Sequence, residues 1–462
     1  MVERCECLIV GGGPAGSALA FLLAQRGLRV VLADHGRAHH SGPLETLLAP
    51  AHRLLRRSGL LELVLPHAAV DPLRHGAIWG RDAIEWRPDA EPGLLLHRGA
   101  FDTALRSALI AAGVDVRCPA RAERLADGGV RLTMPDRREV LRPRHVVVAT
   151  GRARPPWPCQ RELLQAGPQT TALTWVGEPD PADRGTAVVE AVPTGWIWTH
   201  APAAGPASAA VLLDADATCE HGAKTALQAA LAAARGPAAR MQQARLAHAT
   251  NATARLHRTM GEELLLGDAA SCIDPLASQG VEKALAAADH AAAVIATAVA
   301  RPAWWPRLRS AHAHWEAGLF FGHAAATTQW YAREERFTET VFWQRRRTVA
   351  VPRGEAVGWD TLLVRSPALV LQQVLVRQGD VFVEADGVCD PATGEELAQV
   401  GYVSVRPLLD LFRAPGSLRT ALAAAGGDAR LHVLSPHAIH TGLRALLARG
   451  WLIAAASAPG SR

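Results

Sequence analysis

Lysine is almost missing from this chain. Only Lys224 and Lys283 stand among its 49 lysines and arginines, the imbalance expected of a genome that favours arginine codons. The scarcity removes most candidates for a catalytic lysine, a role that arginine fills poorly because its guanidinium stays protonated. Cysteine is sparse and scattered, at Cys5, Cys7, Cys118, Cys159, Cys219, Cys272 and Cys389. An odd, dispersed set excludes a disulfide framework and a zinc site, and no metal is expected. Cys5 and Cys7 would face one side of a strand, but no second pair accompanies them. Long apolar runs are also lacking. The best, Ala291 to Ala300, is flanked by His290 and Arg301 and is too short to span a bilayer, so no membrane partner is expected. The formal net charge is +5 over 462 residues and the arginines are not clustered, which argues against a nucleic-acid partner.

What is present begins at residue 7. Cys7 to Val10 reads as a short buried strand, Gly11-Gly-Gly13-Pro14-Ala15-Gly16 as a tight turn, and Ser17 to Arg26 as a helix closed by Gly27. Leu28 to Ala33 reads as a second strand, ended by Asp34. This order suits a dinucleotide. The first two glycines of Gly-x-Gly-x-x-Gly let the backbone approach a pyrophosphate, and the third lets helix and strand pack closely. The helix N-terminus offers free N–H groups and partial positive charge to the phosphates, and an acid after the second strand can hold a ribose hydroxyl. A glycine motif this early leaves no room for a signal peptide, so a cytoplasmic protein is expected.

The chain is long enough for two or three domains. Residues 1–167 read as alternating strand and helix, with a helix over Phe101 to Ala112, a strand over Val114 to Arg117, an antiparallel excursion over Arg131 to Leu141, and a buried strand at His145 to Ala149. Residues 168–255 change character. Thr170 to Val176, Thr186 to Val192, Gly195 to Thr199 and Ser208 to Leu213 read as sheet strands, followed by a helix near Ala223 to Ala234. This is expected to be a substrate domain inserted in the nucleotide-binding domain. The chain returns to the first domain over 256–300, with a strand ending at Gly267-Asp268 and a long alanine-rich helix from Gly280. Residues 301–354 read as helical and aromatic-rich, and Pro352 and Gly354 mark a loose boundary. Residues 355–462 read as a small domain of strands followed by three short helices, the last N-capped by Ser435, which resembles a winged helix. The expected fold is α/β (α+β overall).

Three stretches resemble group A flavoprotein monooxygenases. They are Arg98-x-x-Phe101-Asp102-x-x-Leu105, Leu266-Gly267-Asp268-Ala-Ala-Ser-Cys-Ile-Asp274-Pro275, and Ser278-Gln-Gly280-Val281. The resemblance implies a Rossmann-like domain for FAD. In it Asp268 would contact the ribityl chain, Pro275 would lie near the isoalloxazine, and the helix N-terminus at Gly280 and Val281 would favour anionic reduced flavin. A narrower resemblance, to the tryptophan-halogenase-like branch, is carried by the segment from Glu45 to Leu60, by Gly195-Trp196-Ile-Trp198, and by Tyr331-x-x-x-Glu335-Arg336-Phe337 with Phe342-Trp343-x-Arg345-Arg346.

Departures from that branch matter. True halogenases carry a lysine some thirty residues after the glutamate of the first motif. Here that neighbourhood reads Pro72-Leu-Arg74-His75-Gly76, and no lysine precedes Lys224. The branch's tryptophan motif continues with Ile-Pro, where this chain has His200-Ala201. The resemblance therefore implies a hydroxylase on a halogenase-like frame. Such an enzyme activates O2 as a flavin C4a-hydroperoxide and hydroxylates an electron-rich ring, with electrons from NAD(P)H directly or through a separate flavin reductase. Candidate polar groups at the substrate are His200, Glu190, His75 and Asp274. Each has a plainer alternative: His200 as a satisfied core or surface histidine, Glu190 as a solvent-facing residue between buried valines. Trp196 and Trp198 share one sheet face and suit either a core layer or a substrate wall.

The winged-helix-like tail resembles peptide-recognition modules, in which a leader strand adds to a sheet edge. With the halogenase-like frame, it resembles the maturation monooxygenases of quinone-cofactor amine-oxidising enzymes, such as that of quinohemoprotein amine dehydrogenase. That resemblance implies a polypeptide substrate, the small subunit of such a dehydrogenase, whose tryptophan is hydroxylated on the way to cysteine tryptophylquinone. A hydroxylase or halogenase of a free or carrier-bound aromatic metabolite, and a flavin-binding assembly chaperone, remain the competing readings.

Overall fold

The computed structural model describes residues 2–36, 44–47, 49–87, 94–153, 157, 161–259, 261–347 and 357–455. The boundary expected at Pro352 and Gly354 lies outside these residues. The chain forms two compact units, residues 1–295 with 316–349, and residues 296–315 with 350–462.

The first unit is built on a parallel core. Strand Val2–Val10 pairs in parallel with Val30–Ala33 on one side and with Arg138–Val148 on the other. Val30–Ala33 pairs in parallel with Asp115–Arg117, and Leu264–Leu265 with the end of Arg138–Val148. The right-handed crossover demanded by such pairing is supplied by the helix Pro14–Gln25. Buried on both faces, these strands read as unbroken apolar runs, with Cys7, Leu8, Ile9, Leu32 and Val147 all out of contact with solvent. The excursion over Arg121–Arg124 and Val130–Thr133 is antiparallel and extends the sheet.

A second sheet of seven strands takes up the region expected from the sequence to meet the substrate. Its order runs Gln242–Asn251, Thr170–Glu178, Ala207–Asp214, Gly195–Ala201, Thr186–Val192, Arg74–Ile78, Glu85–Trp86. Three members fall outside the strands read from the sequence, Arg74–Ile78, Glu85–Trp86 and Gln242–Asn251. Arg74–Ile78 comes from the first 167 residues and pairs in parallel with Thr186–Val192, while Gln242–Asn251 forms the far edge. The face carrying Ile197, Val211 and Leu213 packs on the helix Ala223–Ala233 through Leu227 and Ala230. The other face carries an aromatic cluster of Trp196, Tyr331, Phe342 and Trp343. Gly280–Ala300 is a 21-residue helix, long and apolar enough to cross a membrane, and 72% of its apolar window is buried inside the protein.

The second unit has its own core around Phe412, Leu443, Leu446 and Trp451. An antiparallel sheet, Val370–Gln378, Val381–Asp390 and Glu395–Leu397, precedes the helices Val405–Asp410, Leu418–Ala425 and Pro436–Ala448. Ser417 and Ser435 cap the last two by accepting from the N–H groups of Thr420 and Ala438. Leu452–Ala454 closes the unit by pairing with Leu363–Arg365.

Candidate active site

A cavity of about 410 Å³ opens at the carboxyl ends of the parallel strands, where ligands of open α/β sheets bind. Among its lining residues are Gly11, Gly13, Pro14, Ala15, Asp34, Glu45, Arg98, Asp268, Gly280 and Val281. The turn is shaped for close approach. Gly11 has φ +117° and a Cβ there would lie 2.3 Å from the carbonyl oxygen of Ala149. Gly16 sits beneath rather than in the lining: its Cβ would lie 2.0 Å from the Gly11 oxygen, so only glycine lets the helix rest on the strand. No side chain caps the helix at Gly13, which leaves its first N–H groups to an anion in the cavity.

Asp34 is nearly buried, and its two carboxylate oxygens accept from the N–H groups of Gly12 (2.7 Å) and Gly36 (2.8 Å). Oδ1 also accepts from the Cys118 thiol at 3.9 Å, while Oδ2, bonded to Gly12, has a further lone pair of the kind a ribose hydroxyl needs. Arg98 is held between Glu45 (3.0 Å) and Asp102 (3.0 Å), the latter one helical turn away. Burial works against its charge, yet the two carboxylates outweigh burial and hold its pKa above the usual value. The guanidinium is thus a fixed cation at the cavity wall. Asp268 is held by Arg152 Nε at 3.1 Å, and Arg152 also donates to the carbonyl oxygen of Asn251. A glycine cradle, an uncapped helix N-terminus, a ribose-type acid and fixed cations are the donor set that FAD requires, so these residues fit the cofactor. Pro275 is not part of this lining. Sequence reasoning misses Arg152, although it stands three residues after the buried strand read at His145 to Ala149.

From the cavity the chain runs through Asp268 to Asp274, and there it meets the second sheet. Leu276 packs on the aromatic cluster. Tyr331, one of only two tyrosines in the chain, donates its hydroxyl to Asp274 at 3.0 and 3.2 Å and accepts from Trp196 Nε1 at 3.1 Å. Burial raises the pKa of Asp274 above the usual carboxylate range, against the N–H of Leu276 and the Tyr331 hydroxyl, which lower it. Burial, with the Asp274 charge next to it, also keeps Tyr331 protonated.

Sheet register sorts the remaining candidates. His75, Ala187, His200 and Ser208 form one cross-strand row, and Ala77, Val189, Trp198 and Ala210 the next. His75, His200 and Trp198 therefore share the face of the aromatic cluster, paved with small side chains, and the Trp198 and His200 rings lie 4.8 Å apart. Burial lowers His200 to about 3, with the charge of His75 acting in the same direction. His75 is lowered by burial and by Arg87. Both are neutral imidazoles near pH 7.

Two candidates stand elsewhere. Glu190 pairs with Ile197 and so points to the opposite face, because successive residues of a strand alternate. It does not face solvent either: its carboxylate accepts from the N–H groups of Arg235 (2.5 Å) and Gly236 (3.0 Å) and pins that loop. Trp196 is 1% exposed, enclosed in the aromatic cluster, and its indole N–H is already bonded to Tyr331. It belongs to the core layer, whereas Trp198 is half-buried.

Fold and cavity together define a flavin-dependent monooxygenase with a halogenase-like frame. Residues 4–154 match the family described as FAD binding domain. Among solved structures, the chain is similar to the peptidyl tryptophan dihydroxylase QhpG, essential for tryptophylquinone cofactor biogenesis. The identity is 25%, the likeness covers 97% of this chain and 100% of that one, and the TM-score is 0.69. It is also similar in fold to the flavin-dependent halogenase CmlS (17% identity, 98% and 96% covered, TM-score 0.73). A third likeness is to the myxobacterial chondrochloren halogenase CndH (23% identity, 75% and 86% covered, TM-score 0.61). No curated protein matches the sequence.

Proposed function

We propose that this enzyme hydroxylates a tryptophan side chain within a polypeptide, as a step in the biogenesis of a quinone cofactor such as cysteine tryptophylquinone. The observation that carries the reading is the end-to-end likeness to QhpG at 25% identity. The lysine-free stretch before Lys224 supports it by arguing against halogenation. FAD, bound through Gly11, Gly13, Ala15, Asp34 and Arg98, supplies the activation of O2. Electrons come from NAD(P)H, either directly or through a flavin reductase.

The chain's own residues then have definite tasks. The alanine-paved face around Trp198 receives a flat indole edge-on or stacked, an arrangement worth about 0.5–1.5 kcal/mol beyond area burial. His75 stays neutral near pH 7 and keeps a buried Nε2 without a partner, so its imidazole is the candidate to accept the proton that leaves the ring carbon or indole nitrogen, while His200, held at about 3, serves as a neutral wall of the site. Asp274, tied to Tyr331, holds the corner between cofactor cavity and sheet. The surrounding apolar residues exclude water from the oxidising site.

The test is mass spectrometry of candidate substrates after incubation with the full chain, FAD, O2 and NAD(P)H, with and without a flavin reductase. A tryptophan-containing polypeptide should gain the mass of one or two oxygens while free tryptophan does not. A chlorine or bromine isotope pattern would establish the halogenase reading. Turnover of free or carrier-bound aromatics alone would establish the metabolite reading, and no oxidised product with any partner the chaperone reading.

A further inference from the structure

Lys283 is one of two lysines in a chain that otherwise uses arginine, and it is buried. Its side chain is 1% exposed and forms an ion pair with Glu316 at 2.9 Å. The ammonium also donates to the carbonyl oxygens of Ser271 (2.6 Å) and Gly267 (3.1 Å). Glu316 in turn accepts from the Ser271 hydroxyl at 2.6 Å. An ammonium has three tetrahedrally disposed donors, and here each has one acceptor. A guanidinium, planar and longer, cannot place its fork among two carbonyls and a carboxylate so arranged. A composition that favours arginine has therefore kept a lysine where the geometry admits only lysine.

The location gives this cluster a role. Gly267 and Ser271 bracket the turn that carries Asp268, and Gly267 and Asp268 line the cofactor cavity. Lys283 itself stands in the first turn of the helix Gly280–Ala300, whose Gly280, Val281 and Ala284 line another wall of the same cavity. One ammonium thus ties two walls of the cavity together from behind, with Glu316 of the helix Trp305–Ala332 as its anchor.

We propose that Lys283 is the positioning residue that sets the Gly267–Ser271 turn against the helix N-terminus at Gly280, and so fixes the shape of the cavity that FAD enters. The inference rests on FAD binding alone and is independent of the substrate.

The test separates cavity shape from stability. Lys283→Met strands the Glu316 carboxylate in the interior and should lower both the thermal midpoint of the apoprotein and the affinity for FAD. In Lys283→Met/Glu316→Met the buried pair is replaced by apolar side chains of similar volume, a change that is often neutral or stabilising. The double variant removes the stranded charge but also takes the partners of the Ser271 hydroxyl and of the Ser271 and Gly267 carbonyls, so it should regain only part of the thermal midpoint lost in Lys283→Met, yet bind FAD roughly tenfold or more weakly, with an altered visible spectrum of the bound flavin, because the turn is no longer tied to the helix. Lys283→Arg keeps the charge and loses the geometry, and it should share the FAD deficit. FAD affinity and spectrum equal to those of the natural chain, in either the double variant or Lys283→Arg, would overturn the proposal and leave Lys283 a purely structural ion pair.

Discussion

Removing one oxygen atom, in Tyr331→Phe, should disturb the corner between cofactor cavity and substrate sheet in a way that depends on pH. The hydroxyl serves two buried partners at once, accepting from Trp196 Nε1 at 3.1 Å and donating to Asp274 at 3.0 Å. Phenylalanine fills the same space, so no cavity opens. The cost comes from stranded groups. A buried indole N–H without an acceptor costs about 1–3 kcal/mol, and a hydrogen bond to a charged carboxylate is worth about 1.5–3 kcal/mol. Together they predict a loss of about 2.5–6 kcal/mol as long as Asp274 carries its charge. The acid limb has a definite sign. Burial already holds the folded pKa of Asp274 above its unfolded value, so the folded chain binds the proton more readily and stability falls as pH rises through the folded pKa. Loss of the Tyr331 donor raises that pKa further. The penalty should therefore shrink as pH is lowered from 8 toward 5, because a carboxyl that takes up a proton no longer calls for a donor. Urea unfolding at the two pH values measures this. In a double-mutant cycle, Trp196→Phe/Tyr331→Phe removes the stranded N–H and should recover about 1 kcal/mol or more relative to additivity. A penalty under about 0.5 kcal/mol at pH 8, or additivity within error, would refute the hydrogen-bonded chain and its assigned energetics.

Two further outcomes follow from the geometry. Burial holds His200 at about 3, so between about pH 6.5 and 3 the unfolded chain takes up a proton that the folded chain refuses; His200→Gln should therefore reduce the acid loss of stability by about 2 kcal/mol at pH 5, leaving the part due to the other histidines that burial lowers, His75, His145 and His323 among them, and an unchanged acid limb would contradict the burial assigned to His200. Gly16→Ala places a Cβ 2.0 Å from the Gly11 oxygen, so the helix must lift off the strand, and FAD binding measured by fluorescence quenching should weaken by about a hundredfold or more; tight binding would mean that the turn is not the pyrophosphate cradle.

The parts of this structure that were legible in the sequence are those whose cause is local. The strand, glycine turn and helix over residues 7–26 are contiguous, and Arg98 with Asp102 sits at the i,i+4 spacing that brings side chains together on a helix. The serine cap at 435 needs only its own helix. What the sequence hid depends on pairing across long separations. Glu190 and His200 look equivalent as polar residues in neighbouring apolar strands, and only the register that sets Glu190 opposite Ile197 and His200 opposite Ala187 assigns them to different faces. Tyr331 lies 57 residues from Asp274 and 135 from Trp196, a separation at which no periodicity points to contact. The strand Arg74–Ile78 is a five-residue segment with histidine and glycine at its centre, and its place in the second sheet is set by its neighbours rather than by its own propensity.

That strand also limits how the enzyme can be re-engineered. A substrate sheet woven from residues 74–86, 170–214 and 242–251 is no detachable cassette. A chimera that exchanged residues 168–255 for those of a relative would graft a new Thr186–Val192 strand beside a resident Arg74–Ile78, and all five of their register partners would have to match. It would also leave His75 behind while replacing His200, splitting between donor and host the two imidazoles that flank Ala187 in one cross-strand row. Transfer of substrate preference within this fold has to carry the upstream strand along with the downstream sheet.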